Sequence, residues 1–210
     1  MIIVGANGFA KELLQVCHEL NMTGRLAFFD NVSTNLPEKL FGKFPILKCE
    51  NEVKIHFNDW GKEFALGLGN PISRKKMCDL FESWGGELTS LISPKANIGH
   101  FDISIGKGAT ILQGATITNS VKIGRGLLMY PNSIITHDCK LGDFVELSPG
   151  ATILGGCEIK NNTHIGSNAT ILPKVKIGNN AIIAAGSVVR TDVNDNYMVA
   201  GIPAIIKKKL

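Results

Sequence analysis

A parallel β-helix preceded by a small parallel α/β domain is the fold class this sequence predicts, and two observations predict it. From Ile105 to Val189 an aliphatic residue or methionine recurs every six positions without a break, fifteen in succession. Before residue 93 that period is absent, and short apolar runs alternate with helical patterns instead. The composition agrees. Of 210 residues 44% are apolar and 19% charged, which indicates a packed chain and excludes a disordered one. Aromatics at 7% and 23 glycines suit narrow, regular β-structure better than a bulky aromatic core.

In the first part, Ile2–Gly5 reads as a strand and Gly8–Leu20 as a helix with Leu13, Leu14, Val16, Cys17 and Leu20 apolar. Leu26–Phe29 is a second strand that ends in Asp30, and Phe64–Leu68 a third. Gly69-Asn70 follows, then a helix near Pro71–Trp84, and Glu87–Ile92 leads into the repeat. Strands alternating with helices indicate a parallel, Rossmann-like sheet. The boundary near Ser93-Pro94 gives domains of residues 1–92 and 93–210.

In the second part, a period of six excludes a helix, because 3.6 residues per turn cannot hold it on one face. A short strand with its aliphatic inward, followed by a sharp corner, can hold it. Four residues after each aliphatic stands a small or compact residue, as at Ala109, Ala115, Cys139, Ala151 and Cys157. Gly and Asn near the corners tolerate positive φ. Three sides make a coil, and coils stack about 4.8 Å apart. Ile92 and Ile98 begin an earlier, incomplete coil with one extra residue near Ser104. After Val193 the chain is expected to leave the coil and end in a basic run, Lys207–Lys209, that is solvated or meets an anionic phosphate.

Several function classes fall away. A net charge of +4 without an aromatic-basic cluster argues against nucleic acid. No apolar run approaches the ~20 residues of a membrane span. Met1 leads straight into a strand, so no signal peptide is expected. Five cysteines without a C-x-x-C pair fit reduced thiols in a cytoplasm. A zinc site needs clustered histidines, and only His100 and His137 share a phase of the repeat, roughly 10 Å apart. No metal is expected. Cys139 and Cys157 read as core.

Two places can carry chemistry. Gly5-Ala6-Asn7-Gly8-Phe9-Ala10 lies between strand and helix, where backbone N–H groups favour phosphate. Asp30, at a later strand end, suits a ribose or base; an ordinary tight turn is the alternative. His137-Asp138 is third and fourth in its hexapeptide, so His137 points outward near a corner. It reads as a general base oriented by its acidic neighbour, or as a solvated surface histidine.

Together the strand–Gly-turn–helix, the later G-N, the hexapeptide array, His137-Asp138 and the terminal Gly201-Ile202-Pro203-Ala204 resemble the hexapeptide sugar acyltransferases. The similarity is to the group of sialic acid O-acetyltransferases and bacillosamine and perosamine N-acetyltransferases. The resemblance implies a left-handed β-helix, a homotrimer with active sites between subunits, and acetyl-CoA as co-substrate. By the resemblance, His137 is the general base and Asp138 the acid beside it. Gly155 supports the thioester oxygen, and Ser167 and Ala185, on the same flank, line the CoA channel with Gly201, Pro203 and Ala204 near its end. Asn7, Gly8, Phe9, Asp30, Asn31 and Gly69 hold the nucleotide-linked sugar. The implied activity is N-acetylation of a nucleotide-linked 4-amino-dideoxy sugar by direct attack. Sugar O-acetylation and a non-catalytic scaffold are the alternatives, and the base, sugar and acyl chain stay open. The chain departs from the family's pattern at Phe9 (often His), Asn31 (often Asp), Tyr130-Pro131 (often Asn-Thr), Glu146 (often His) and Ile205 (usually Lys or Arg).

Overall fold

The structure is a computed structural model describing residues 1–210. Its contacts divide it into two compact units, Met1–Gly69 with Ser73–Leu91, and Asn70–Ile72 with Ile92–Leu210.

In the first unit the order is β1 (Ile2–Val4), α1 (Gly8–Glu19), β2 (Ala27–Phe29), β3 (Lys39–Leu40), β4 (Phe44–Leu47), α2 (Glu50–Trp60), β5 (Glu63–Leu66), α3 (Pro71–Ser83) and β6 (Glu87–Leu88). The sheet runs β3-β4-β2-β1-β5-β6, parallel apart from the β3–β4 hairpin. Its parallel strands therefore reverse order on either side of β1, as in a doubly wound nucleotide-binding sheet. Every residue of β1 and β2 is buried, as expected of parallel strands covered on both faces. The sparse aromatics are concentrated here, contrary to the low-aromatic core that composition suggests: Phe81 packs against Phe29, Phe57, Phe64 and Trp84. The hairpin and α2 are not expected from the sequence pattern.

α2 buries Val53, His56 and Phe57. Burial, together with the nearby Met1 ammonium, holds His56 below the ordinary imidazole pKa, and its Nε2 has no hydrogen-bond partner. The unfolded chain then binds the proton more readily than the folded one, so stability rises with pH. It is fully present above the unfolded value near 6.5 and is lost as pH falls through it towards the depressed folded value. Both tryptophans, Trp60 and Trp84, lie in this unit and report on it. The urea midpoint of tryptophan fluorescence is expected to drop between pH 8 and pH 5.5, and His56→Gln to flatten that dependence. An unchanged pH slope in the variant would assign the effect to another group.

The second unit is a parallel β-helix whose coils consist of two- and three-residue strands in three sheets, closed by a terminal hairpin. Thr110 pairs with Leu128, Leu128 with Glu146, Glu146 with His164 and His164 with Ile182, each one coil of 18 residues further on. The repeating aliphatics point inward: Ile111, Met129, Leu147, Ile165 and Ile183 are buried in one stack. Cys139 and Cys157 are buried in the same core, and all five cysteines are free thiols. Corners carry positive φ at Asn132, Asp138, Asn162, Asn168, Asn180 and Asn196. Asn162, Asn180 and Asn196 form a side-chain ladder, Nδ2 to Oδ1 at 3.1 and 2.9 Å.

Two expectations need correction. Asn97 and Ile98 pair with Thr116 and Ile117, 19 residues on, whereas Ile103 pairs with Val121, 18 on. The extra residue therefore falls between Ile98 and Ile103. Gly99 N–H meets Ile117 O and Ser120 N–H meets Phe101 O, so Phe101, not His100, stacks in the turn position of His137. The chain also does not leave the coil after Val193, although Lys207–Lys209 are exposed as expected. Tyr197–Gly201 continues the sheet beside Ile182–Ile183, and Ala204–Lys209 folds back on it as an antiparallel hairpin.

Candidate active site

His137 sits at a corner of the coil, exposed, where Thr136 ends one side and Asp138 turns with φ 61°. The left-handed turn brings the Asp138 carboxylate back onto the ring: His137 Nδ1 lies 2.7 Å from Asp138 Oδ2. A carboxylate only accepts, so Nδ1 is the donor of this hydrogen bond, and in the neutral imidazole that tautomer leaves the lone pair on Nε2. The corner of the next coil is Gly155. A Cβ built there would stand 2.5 Å from His137 Cε1 and 2.8 Å from Nε2. Glycine at 155 is thus what lets the imidazole lie flat on the following coil. Gly156 N–H donates to His137 O at 2.9 Å and fixes that register. The Gly155 N–H donates to no acceptor within the chain. The arrangement offers an oriented, solvent-facing base beside an uncommitted N–H donor.

The other residues assigned to CoA are dispersed. Gly186 N–H meets Ser167 O, which stacks Ser167 on Ala185, but this column lies 12 residues, two sides of the coil, beyond that of Gly155. Within one chain the pair is not on the flank of His137, and the sequence expectation is corrected on that point. Gly201, Pro203 and Ala204 form the tip of the terminal hairpin, with Gly201 paired to Ala204. Its N–H reaches Ser187 Oγ at 3.2 Å.

A second polar group, Glu146, Ser148 and His164, lies on one sheet of the coil. His164 Nε2 is 3.0 Å from Ser148 Oγ and 3.7 Å from Glu146 Oε1. Both partners meet the same ring nitrogen, so the histidine cannot relay a proton from one to the other as in a catalytic triad.

In the first unit the residues assigned to the nucleotide converge. Asn7, Gly8, Phe9, Asp30, Asn31 and Gly69 all line one cavity of about 550 Å³ at the carboxyl ends of β1, β2 and β5. That is the switch point of the sheet, where ligands of such folds bind. Gly5 is required there: its φ is +115° and a Cβ would stand 2.7 Å from Gly67 O. Asp30, however, is engaged by the protein. Its Oδ1 accepts from Val32 and Ser33 N–H at 3.1 and 2.9 Å, and its Oδ2 from Ser33 Oγ at 3.0 Å. Asn7 Nδ2 donates to Ser33 Oγ at 2.8 Å. Burial raises the Asp30 pKa, but these hydrogen bonds and the Lys48 charge outweigh it and hold the carboxyl below its ordinary value. Asp30 shapes the β2 loop that forms the cavity wall. The sequence reading missed Ser33, Ser73 and Lys76, which also line it. The Asp30-x-x-Ser33 spacing, typical of a side-chain-capped turn, is the signal that could have found the first.

Comparison with known proteins follows the same division. Residues 1–81 match the PglD N-terminal domain, and residues 156–191 match the bacterial transferase hexapeptide of six repeats. No curated protein matches the sequence. Among solved structures, the acetyltransferase domain of PglB from Neisseria gonorrhoeae FA1090 superposes with a TM-score of 0.87 at 25% identity, over 100% of this chain and 98% of that one. The same domain is known in complex with acetyl coenzyme A. The chain is an acyltransferase that carries hexapeptide repeats. WeeI from Acinetobacter baumannii AYE gives a TM-score of 0.88 at 27% identity over 98% of each chain. A histidine variant of perosamine N-acetyltransferase from Caulobacter crescentus, with CoA and GDP-perosamine, gives 0.91 at 24% identity over 99% of this chain and 96% of that one. At that identity it speaks for the fold. No helix of this acyltransferase is long and apolar enough to cross a membrane.

Proposed function

We propose that this acyltransferase moves the acetyl group of acetyl-CoA onto the 4-amino group of a nucleotide-linked dideoxy sugar, in the cytoplasm and as a trimer. The observation that carries the reading is His137, exposed, held by Asp138 on Nδ1 and seated on Gly155. Support comes also from the switch-point cavity and from related structures that hold acetyl coenzyme A, or CoA with GDP-perosamine.

The neutral amine attacks the thioester carbonyl, and a tetrahedral oxyanion forms. The Gly155 N–H, free of protein partners, is the donor for that oxygen. His137 Nε2 takes the proton from the nitrogen as the C–N bond forms. Collapse breaks the C–S bond, and the imidazolium returns the proton to the departing CoA sulfur. The charge on the imidazolium is balanced by Asp138 throughout. Direct attack needs no acyl-enzyme, in keeping with Cys139 being buried. The Asn7 turn and the Gly67–Gly69 loop hold the nucleotide, with Phe9 and Asn31 on the walls.

A thiol-release assay with acetyl-CoA and UDP-, dTDP-, GDP- and CMP-linked sugars tests it. Release of CoA with 4-amino sugars, and none with their 4-hydroxy counterparts, is the expected result. Release only with hydroxyl acceptors would make the enzyme an O-acetyltransferase, and silence with both would make it a scaffold.

A further inference from the structure

The corrected register places four residues in one column along a corner of the coil: Phe101, Asn119, His137 and Gly155. Consecutive members are one coil apart, so Phe101 stands roughly 10 Å along the ridge from His137. On the side of the later coil, Gly155 leaves the ring of His137 open and flat. On the side of the earlier coils the ridge rises through Asn119 to Phe101, which is 73% exposed. An exposed phenyl ring by itself carries little information. This one is different in how its backbone is held. Phe101 N–H donates to Asn119 Oδ1 at 3.2 Å, and Phe101 O accepts from Ser120 N–H at 2.9 Å. Gly99 makes room for the arrangement, since a Cβ there would stand 2.4 Å from Asn119 Oδ1. Asn119 O in turn accepts from Asp138 N–H at 3.4 Å. One residue thus braces the turn that carries the base and the turn that carries the ring.

We propose that Phe101 is the platform on which the sugar ring of the acceptor lies while its amine faces His137, and that Asn119 is the positioning residue that fixes the platform. The proposal rests on the reading of His137 as the base. A pyranose is about as wide as one coil spacing, so a ring lying over Asn119 extends along the ridge from Phe101 towards the turn of His137. Its C–H face is apolar, and more so when deoxygenated, and burying it against a phenyl ring removes apolar area from water. Between them the column offers only Asn119, which is neutral and whose Oδ1 already accepts from Phe101. The apolar platform favours an acceptor with a deoxygenated pyranose face.

Phe101→Ala is expected to raise the acceptor KM at least tenfold, leaving the acetyl-CoA KM within twofold and the mass in light scattering unchanged. Phe101→Tyr is expected to restore the acceptor KM, and Asn119→Ala to fall between. An unchanged acceptor KM, an equal rise in both KM values, or a smaller particle would overturn the proposal. If wild type turns over no sugar at all, the acyl-transfer reading fails separately. Saturation transfer from the protein to the methyl glycoside of 4-amino-4,6-dideoxyglucose then decides Phe101 alone. Transfer to the ring protons in wild type, lost in Phe101→Ala, sustains the platform. Equal transfer in both proteins, or none in wild type, overturns it.

Discussion

Replacing His137 with alanine is expected to lower kcat by at least about 100-fold, the usual contribution of a positioned general base. Gly155→Ala is expected to match that loss without altering any titratable group. The reason is steric. The added methyl would stand 2.5 Å from Cε1 and 2.8 Å from Nε2 of His137, well inside contact distance. Gly155 is not among the positive-φ residues, so its backbone accepts alanine without strain, and the ring must move instead. With 68% of its side chain exposed, His137 can swing into solvent at little cost to the fold. Doing so breaks the 2.7 Å contact of Nδ1 with Asp138, and with it the tautomer that leaves Nε2 free. The expected signature is a collapse in kcat at unchanged unfolding midpoint, in both variants, with the double variant no worse than either single one. Acetyl-CoA affinity, measured by calorimetry, should fall further in Gly155→Ala, because the methyl also covers the N–H assigned to the thioester oxygen. Full activity in Gly155→Ala would separate the ring's position from catalysis and remove the assignment of His137.

The contrast between the legible and the hidden parts of this chain has a physical origin. The β-helix was readable because a single requirement, one inward aliphatic per side, recurs at constant spacing from Ile105 to Val189. The same regularity concealed the register above it. Ile98 and Ile105 are seven apart, which announces an extra residue but not its place, and only backbone hydrogen bonds put Phe101 rather than His100 above Asn119. In the first unit the turns with glycine were legible, and all six residues assigned to the nucleotide meet in one cavity. The β3–β4 hairpin was not, since its strands are two and four residues long. α2 was hidden because Ile55 and Trp60, exposed at 52% and 48%, blur the spacing of the buried Val53, His56 and Phe57. Asp30 shows the opposite limit. Its residue type and position at a strand end were correctly located, yet both oxygens are taken by its own loop. A motif reports where a carboxylate stands, not whether it is free.

The buried cation Arg74 is the strongest case of a residue that sequence gives no reason to single out. It lies on α3 and is 1% exposed, among the largest fully buried side chains of the molecule. Its Nη1 donates to Gly69 O at 2.8 Å, which ties the Gly67–Gly69 loop to the helix that follows it. That loop lines the switch-point cavity, so Arg74 supports the cavity from behind without lining it. Arg74→Ala removes a large buried side chain and leaves the Gly69 carbonyl without this donor. The two losses together are expected to destabilise by about 3–5 kcal/mol. Arg74→Met keeps most of the volume and gives up the hydrogen bond, and is expected to cost about half of that. Arg74→Lys keeps the charge but not the forked geometry, and should not rescue. Urea unfolding followed through Trp60 and Trp84, which belong to the same unit, measures all three. The acceptor KM is expected to rise in the order Met, then Ala, while the acetyl-CoA KM stays near wild type. A wild-type midpoint in Arg74→Ala would show that the loop is held by its backbone alone, and a uniform change in both KM values would mean that the loss is one of folded protein rather than of the pocket.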